Sequence, residues 1–270
     1  MLSIEHFSNL LEKNRNNPAM LMELGNSMLE DKETTKDHFE LVLQAFEQAV
    51  YLAPRNITAL FGRGRTKAIL GYTAGALLDY NAVIQAQPNI PAGWFRRGLL
   101  YFQLKDYKNA VMDFVQTVTT DPSFLEGYLL RAYALINLGG YEQAAHDLNH
   151  VIKFETPFAG EALYHRAKCF YNLQLMDLVI KDCDNLLEIG WISTEIYHLR
   201  AMAYIHFKDF ETALANYELA LQLDPTNTDL LYNKQELVKA IEQLKYEAAN
   251  PPKEEVKETT DEVIVTEPVV

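Results

Sequence analysis

Five arginines recur at an almost constant interval: Arg63, Arg97, Arg131, Arg166 and Arg200, separated by 34, 34, 35 and 34 residues. Sixteen residues after each stands Asp79, Asp113, Asp147, Asp182 or, in the last case, Asn216. A guanidinium and a carboxylate repeated in this way can pair with each other, or the arginines can hold an acidic ligand. Pairing is favoured. At the corresponding places earlier in the chain Leu24 and Ala45 stand instead, so both partners become apolar together. Other reactive groupings are thin. Gly62-Arg63-Gly64 lacks the strand and further glycine of a phosphate loop. His146 and His150 have the i, i+4 spacing of metal ligands, but no third ligand joins them. Cys169 and Cys183 fall within one period and read as small buried hydrophobes. With no nucleophile–base constellation, neither an enzyme nor a cofactor or metal site is expected.

The elements that must position these residues follow from the period itself. Each interval reads as two helices, because apolar and small residues recur three and four apart. The first helix runs to Leu70, Leu104, Leu138, Leu173 or Phe207. A short turn follows, and the second helix carries Ala76/Tyr80, Ala110/Phe114, Ala144/Leu148 or Ala213/Tyr217. Pro54, Pro88, Pro122 and Pro225 close the units, since proline cannot continue a helix. With each unit numbered from 1 to 34, starting at residues 57, 91, 125, 160 and 194, a turn centred near position 15 puts positions 7 and 23 at one height. Those are the arginine and aspartate positions, so each hairpin is expected to carry its own cross-helix ion pair.

With these residues the chain resembles the tetratricopeptide repeat family. The family favours a large residue at position 4, Gly or Ala at 8, Tyr at 11, Ala at 20, an aromatic at 24, a small residue at 27 and Pro at 32. Residues 91–124 supply Trp94, Gly98, Tyr101, Ala110, Phe114, Thr117 and Pro122; residues 194–227 supply Tyr197, Ala201, Tyr204, Ala213, Tyr217, Ala220 and Pro225. Residues 57–90 depart at Lys67. The unit 125–159 is one residue longer. Residues 160–193 depart most, with Val179, Cys183 and Trp191 at positions 20, 24 and 32. Residues 18–56 carry extra residues around Glu30–His38. The resemblance implies an all-α, right-handed superhelix of about six repeats, capped by short helices at 1–17 and 228–249. Residues 250–270 are acidic and proline-containing and read as a disordered tail. Strand addition by EVIVTEPVV, or return of the tail into the groove, stays open.

In that family, ligands lie along the face formed by the first helices. The resemblance therefore points to a peptide-binding groove of Asn26, Phe61, Arg65, Phe95, Arg96, Leu99, Phe102, Leu129, Tyr133, Tyr164, His165, Lys168, Tyr171 and His198. An alternative is that half of these pack against neighbouring helices. The carboxylate clamp of co-chaperones is matched at two of five places, by Asn26 and Arg96, against Met22, Gly62 and Ala92, which disfavours chaperone-tail binding. Net charge is -13 with pI near 5.0, which argues against a nucleic-acid partner. No run of 18 apolar residues is present, so no membrane span is expected. The first residues, MLSIEHFSNLLEKN, lack the features of a secretory leader. Two cysteines make no disulfide framework, and a cytoplasmic setting is expected. The function expected is a non-enzymatic scaffold binding a protein or extended peptide. Self-assembly of copies into a larger complex is the second reading, and a co-chaperone-like module without the usual clamp the third.

Overall fold

The computed structural model describes residues 3–31, 35–154 and 157–250. The tail expected to be disordered falls on residues outside that set, as does part of the longer turn of the first repeat. Among the described residues there are fourteen helices and no strand. They are α1 (Ile4–Lys13), α2 (Pro18–Glu30), α3 (Lys36–Leu52), α4 (Ile57–Ile69), α5 (Thr73–Ala86), α6 (Pro91–Gln103), α7 (Tyr107–Thr120), α8 (Leu125–Asn137), α9 (Tyr141–Ile152), α10 (Ala159–Asn172), α11 (Met176–Glu188), α12 (Thr194–His206), α13 (Phe210–Leu223) and α14 (Thr228–Ala249). The chain divides after Ile192 into two compact units, the first holding α1 to α11 and the second α12 to α14.

Local chemistry fixes the helix ends. Asn17, Asn56, Asp106, Asp209 and Asn227 cap α2, α4, α7, α13 and α14 by accepting a hydrogen bond from the backbone N–H three residues on. Pro18 and Pro91 occupy first-turn positions, where the missing N–H is harmless. Between the two helices of a hairpin the chain passes once through the left-handed region. Gly71, Lys105, Gly139, Gln174 and Lys208 do this with φ of 83°, 61°, 79°, 60° and 60°. All five stand at position 15, where the turn is expected.

In the first unit the hairpins are α2–α3, α4–α5, α6–α7, α8–α9 and α10–α11, and each packs on the next. Glycines in the first helices α2 and α4 allow a core ring to approach their backbones closely. A Cβ on Gly62 would lie 2.2 Å from the Phe46 ring, and one on Gly25 2.7 Å from it. Phe46, fully buried, is thus wedged between the first helices of two repeats. Core aromatics at position 24, Tyr80 and Phe114, are likewise buried. α1 covers the first hairpin through Phe7, which is buried against Met28, Val42 and Phe46. Ile4 of the same helix is 43% exposed. In the second unit, α14 buries Leu230 and Leu237 against α12 and α13 and leaves Leu231 and Leu244 exposed.

Candidate functional site

The repeated charges pair as expected. Nε and Nη2 of Arg97, Arg131 and Arg166 donate to both carboxylate oxygens of Asp113, Asp147 and Asp182 at 2.6–2.8 Å. Arg63 donates to Asp79 in the same fork, joined by Lys67 at 2.9 Å. In the last hairpin Arg200 Nε donates to Asn216 Oδ1 at 2.7 Å. The aspartates are at most 3% exposed. Aromatic rings stack on the guanidinium groups: Trp94 and Tyr101 on Arg97, Tyr128 on Arg131, Phe170 on Arg166 and Tyr197 on Arg200. Burial raises the Asp113 carboxyl, while the hydrogen bonds of the fork hold the Arg97 guanidinium above its usual value. The two shifts pull the pair in opposite directions. The short paired geometry favours the charged state. These arginines are structural.

The first helices α2, α4, α6 and α8 also touch one another in order, which makes them the inner face of the first unit. On this face two other arginines behave differently. Arg65 of α4 and Arg96 of α6 line one cavity of about 150 Å³ together with Ile69, Tyr80, Leu99 and Gln103. Neither has an ion-pair partner among the described residues. Burial, and then the charge of Arg96, lower the pKa of Arg65 from its ordinary value, against the weaker opposing pull of Tyr80 and of Glu30, which does not line the cavity. Burial pushes the Tyr80 hydroxyl up to about 12, against the opposing pull of Arg96 and Arg65, so it stays a neutral donor. Two like charges and one hydroxyl around a small apolar-walled space are arranged to receive an anionic oxygen.

A second cluster lies further along the face. The Tyr133 ring sits 4.5 Å from the His165 ring, Tyr164 meets His165 edge-on, and Lys168 Nζ lies 5.4 Å from the Tyr164 ring. Tyr133 Oη is buried without a hydrogen bond of ordinary geometry among the described residues. Burial, and secondarily Glu161, raise its pKa. Burial, and then Lys168, lower that of His165, which is therefore neutral.

The expected groove residues thus separate. Arg65, Arg96 and Leu99 meet in the cavity, and Tyr133, Tyr164, His165 and Lys168 meet in the second cluster. Asn26, Phe61, Phe102 and Tyr171 are half-buried on their helices, with Phe61 6.1 Å from Tyr80 and Phe102 edge-on to Tyr107. Phe95 and Leu129 do not line an open groove, since each is only 4% exposed. Phe124 closes over Phe95 with ring centroids 4.8 Å apart, and Leu129 joins the core of α8, α9 and α10. His198 belongs to the second unit, where it lies against Tyr217 and Met202. Sequence reasoning missed Tyr80 because position 24 reads as core. Its ring is core, and only its hydroxyl end reaches the cavity. His146 is exposed, while His150 stacks between Tyr128 and Phe154. No group of three metal-ligating residues occurs among the described residues. Cys169 and Cys183 form no disulfide, and burial raises the Cys169 thiol to about 11. No described helix is long and apolar enough to cross a membrane.

Comparison with known proteins agrees with this geometry. Tetratricopeptide repeat models match residues 70–123, 129–183 and 194–227, more than half of the chain, which belongs to the tetratricopeptide repeat family. Among solved structures it is similar to the C-terminal part of a TPR repeat-containing protein from Cytophaga hutchinsonii (TM-score 0.70, 16% identity, 84% of this chain and 92% of that one). It is similar to PilF from Pseudomonas aeruginosa (TM-score 0.61, 13% identity, 83% and 99%). A tetratricopeptide repeat protein from Parabacteroides merdae gives a TM-score of 0.53 at 23% identity, over 86% and 90%. No curated protein matches the sequence.

Proposed function

We propose that this protein is a non-enzymatic scaffold that holds an extended segment of a partner protein along the inner face of its first unit. A carboxylate of that segment lies between Arg65 and Arg96. The carrying observation is that these two guanidinium groups share a cavity without an acid, whereas the position-7 arginines each have a partner of their own. Tyr80 donates a third hydrogen bond, and Leu99 packs on the aliphatic part of the ligand side chain. The Tyr133–His165–Lys168 cluster extends the same track as an aromatic platform.

The test uses a fluorescein-labelled extended peptide alternating Glu and Leu, with its Gln counterpart as control. Binding followed by polarisation is expected to weaken with salt and to fall about tenfold or more in Arg65→Gln/Arg96→Gln. Lys181→Gln, on the second helix α11, is the surface control. Equal binding of the Gln peptide, or an unaffected double variant, refutes the proposal.

One observation favours a second reading, assembly of copies through the C-terminal helix. α14 exposes Leu231, Tyr232, Val238, Leu244 and Tyr246. Light scattering at two concentrations separates it from the first: a mass that does not change with concentration removes it.

A further inference from the structure

Two departures from the repeat pattern converge on one arginine, away from the inner face. In the third and fifth repeats the position-7 arginine has three supports. Its own aspartate holds Nε and Nη2. An asparagine at position 25 of the preceding repeat accepts from Nη1: Asn81 for Arg97 at 2.5 Å, Asn149 for Arg166 at 2.9 Å. An aromatic residue at position 11 stacks on the guanidinium: Tyr101 at 5.9 Å, Phe170 at 5.6 Å. Arg131 of the fourth repeat keeps only the first of these. Position 25 before it is Val115 and position 11 is Leu135. Among the described residues no acceptor meets Arg131 Nη1, and its one stacked ring is Tyr128 at 5.2 Å.

Both replacements bring less than the pattern supplies: a valine where an amide would stand, and a leucine where a ring would stand. The result is a groove of about 540 Å³ between α7 and α9, floored by α8. Val111, Val115 and Leu135 form its apolar wall, the Arg131–Asp147 pair its base, and Glu142 and His146 its polar rim. The base is a neutralised ion pair and the rim carries an acid, so an anionic ligand is disfavoured here. This separates the groove from the Arg65–Arg96 cavity.

We infer that this groove is a second docking site, for a partner segment that presents an aromatic side chain beside an uncharged amide carbonyl. The identity of the ligand is read from the chain's own repeats. A carbonyl oxygen takes the place that Asn81 and Asn149 fill elsewhere and accepts from Arg131 Nη1. A ring takes the place of Tyr101 and Phe170, lying on the guanidinium and against Val115 and Leu135. Arg97 shows the full arrangement, with Trp94 and Tyr101 on its guanidinium and Asn81 on Nη1; in the fourth repeat Tyr128 takes the part of Trp94, and the acceptor and the second ring are left to be supplied by another molecule.

The test uses N-acetyl-L-phenylalaninamide as probe on the full chain, with the methyl resonances of Val111, Val115 and Leu135 as reporters. Saturable shifts in the millimolar range are expected, as one ring and one amide can provide. N-acetyl-L-alaninamide, which has the amide without the ring, should bind at least about fivefold more weakly. Val115→Asn/Leu135→Tyr restores the repeat pattern and should abolish the shift of Val111 while keeping the helical circular dichroism. If the double variant does not fold, Val115→Asn alone decides, with an expected weakening of about fivefold or more. No shift in the parent protein up to about 20 mM, equal affinity for the alanine analogue, or undiminished binding in the folded variant overturns the inference.

Discussion

Removal of the Asp113 carboxylate should be among the most damaging single changes in the first unit. Asp113 is 2% exposed and accepts two hydrogen bonds from Arg97, at 2.8 and 2.6 Å. In Asp113→Ala the guanidinium cannot simply withdraw. Trp94 and Tyr101 flank it and Asn81 holds Nη1, so the charge stays where it is without its counter-ion. Breaking a fully buried pair costs about 3–5 kcal/mol, and a solvated pair contributes only about 0–1. The Arg97 side chain is 18% exposed, so water recovers part of the loss, and about 2–4 kcal/mol is expected. Two of the chain's own hairpins calibrate the series. Arg200 donates to Asn216 at 2.7 Å, so Asp113→Asn should retain one bond and lose only about 1–2 kcal/mol. Leu24 and Ala45 hold these places in the first hairpin, so Arg97→Leu/Asp113→Ala should recover to within about 1 kcal/mol of the parent. Urea unfolding gives the global value. Hydrogen exchange of α6 and α7 gives the local one, because a repeat array need not unfold as one unit. The reasoning fails if the alanine variant is no worse than the asparagine variant, or if the double variant is no better than Asp113→Ala.

Two further outcomes follow from packing and titration. Gly62→Ala puts a methyl 2.2 Å from the fully buried Phe46 ring and should destabilise by about 1–3 kcal/mol, with partial rescue by Phe46→Leu; thermal unfolding of the pair of variants checks this. His165 is held below its ordinary value of 6.5 by burial, so the unfolded chain binds its proton more readily than the folded one. Its contribution is therefore intact above 6.5 and is lost as pH falls from there through the folded value. His165→Gln should flatten the pH dependence of exchange protection in α10 across this interval, and an unchanged slope counts against it.

The fold was legible because one period carries several independent signals. Arginine spacing, core aromatics at position 24 and turns at position 15 all report the same hairpin, and departures from it remain visible by alignment. The inner-face residues were only partly legible. Positions 5 and 9 project toward that face in every repeat, but whether a side chain is reachable depends on the next unit. Phe95 is covered by Phe124, a residue outside the helix pattern. Leu129 fits its neighbours closely enough to vanish into the core, whereas Arg65 at position 9 shares an open cavity with Arg96 and Tyr80. Tyr80 shows the opposite case: a core position whose far end reaches the Arg65–Arg96 cavity. Such outcomes depend on contacts between successive hairpins, and periodicity within one hairpin does not encode them.

The polar links between neighbouring hairpins are unevenly spread. Tyr72 donates to Glu40 across the first junction, Asn81 accepts from Arg97 across the second, and Asn149 accepts from Arg166 across the fourth. At the third junction, where Val115 faces Arg131, no such tie occurs among the described residues. Without such a tie, that junction lacks the net contribution of about 0.5–1.5 kcal/mol that a hydrogen bond typically makes. Tension along the first unit would therefore open the stack at that junction first, leaving one block of α1 with three hairpins and another of two, whose internal seams outlast the break.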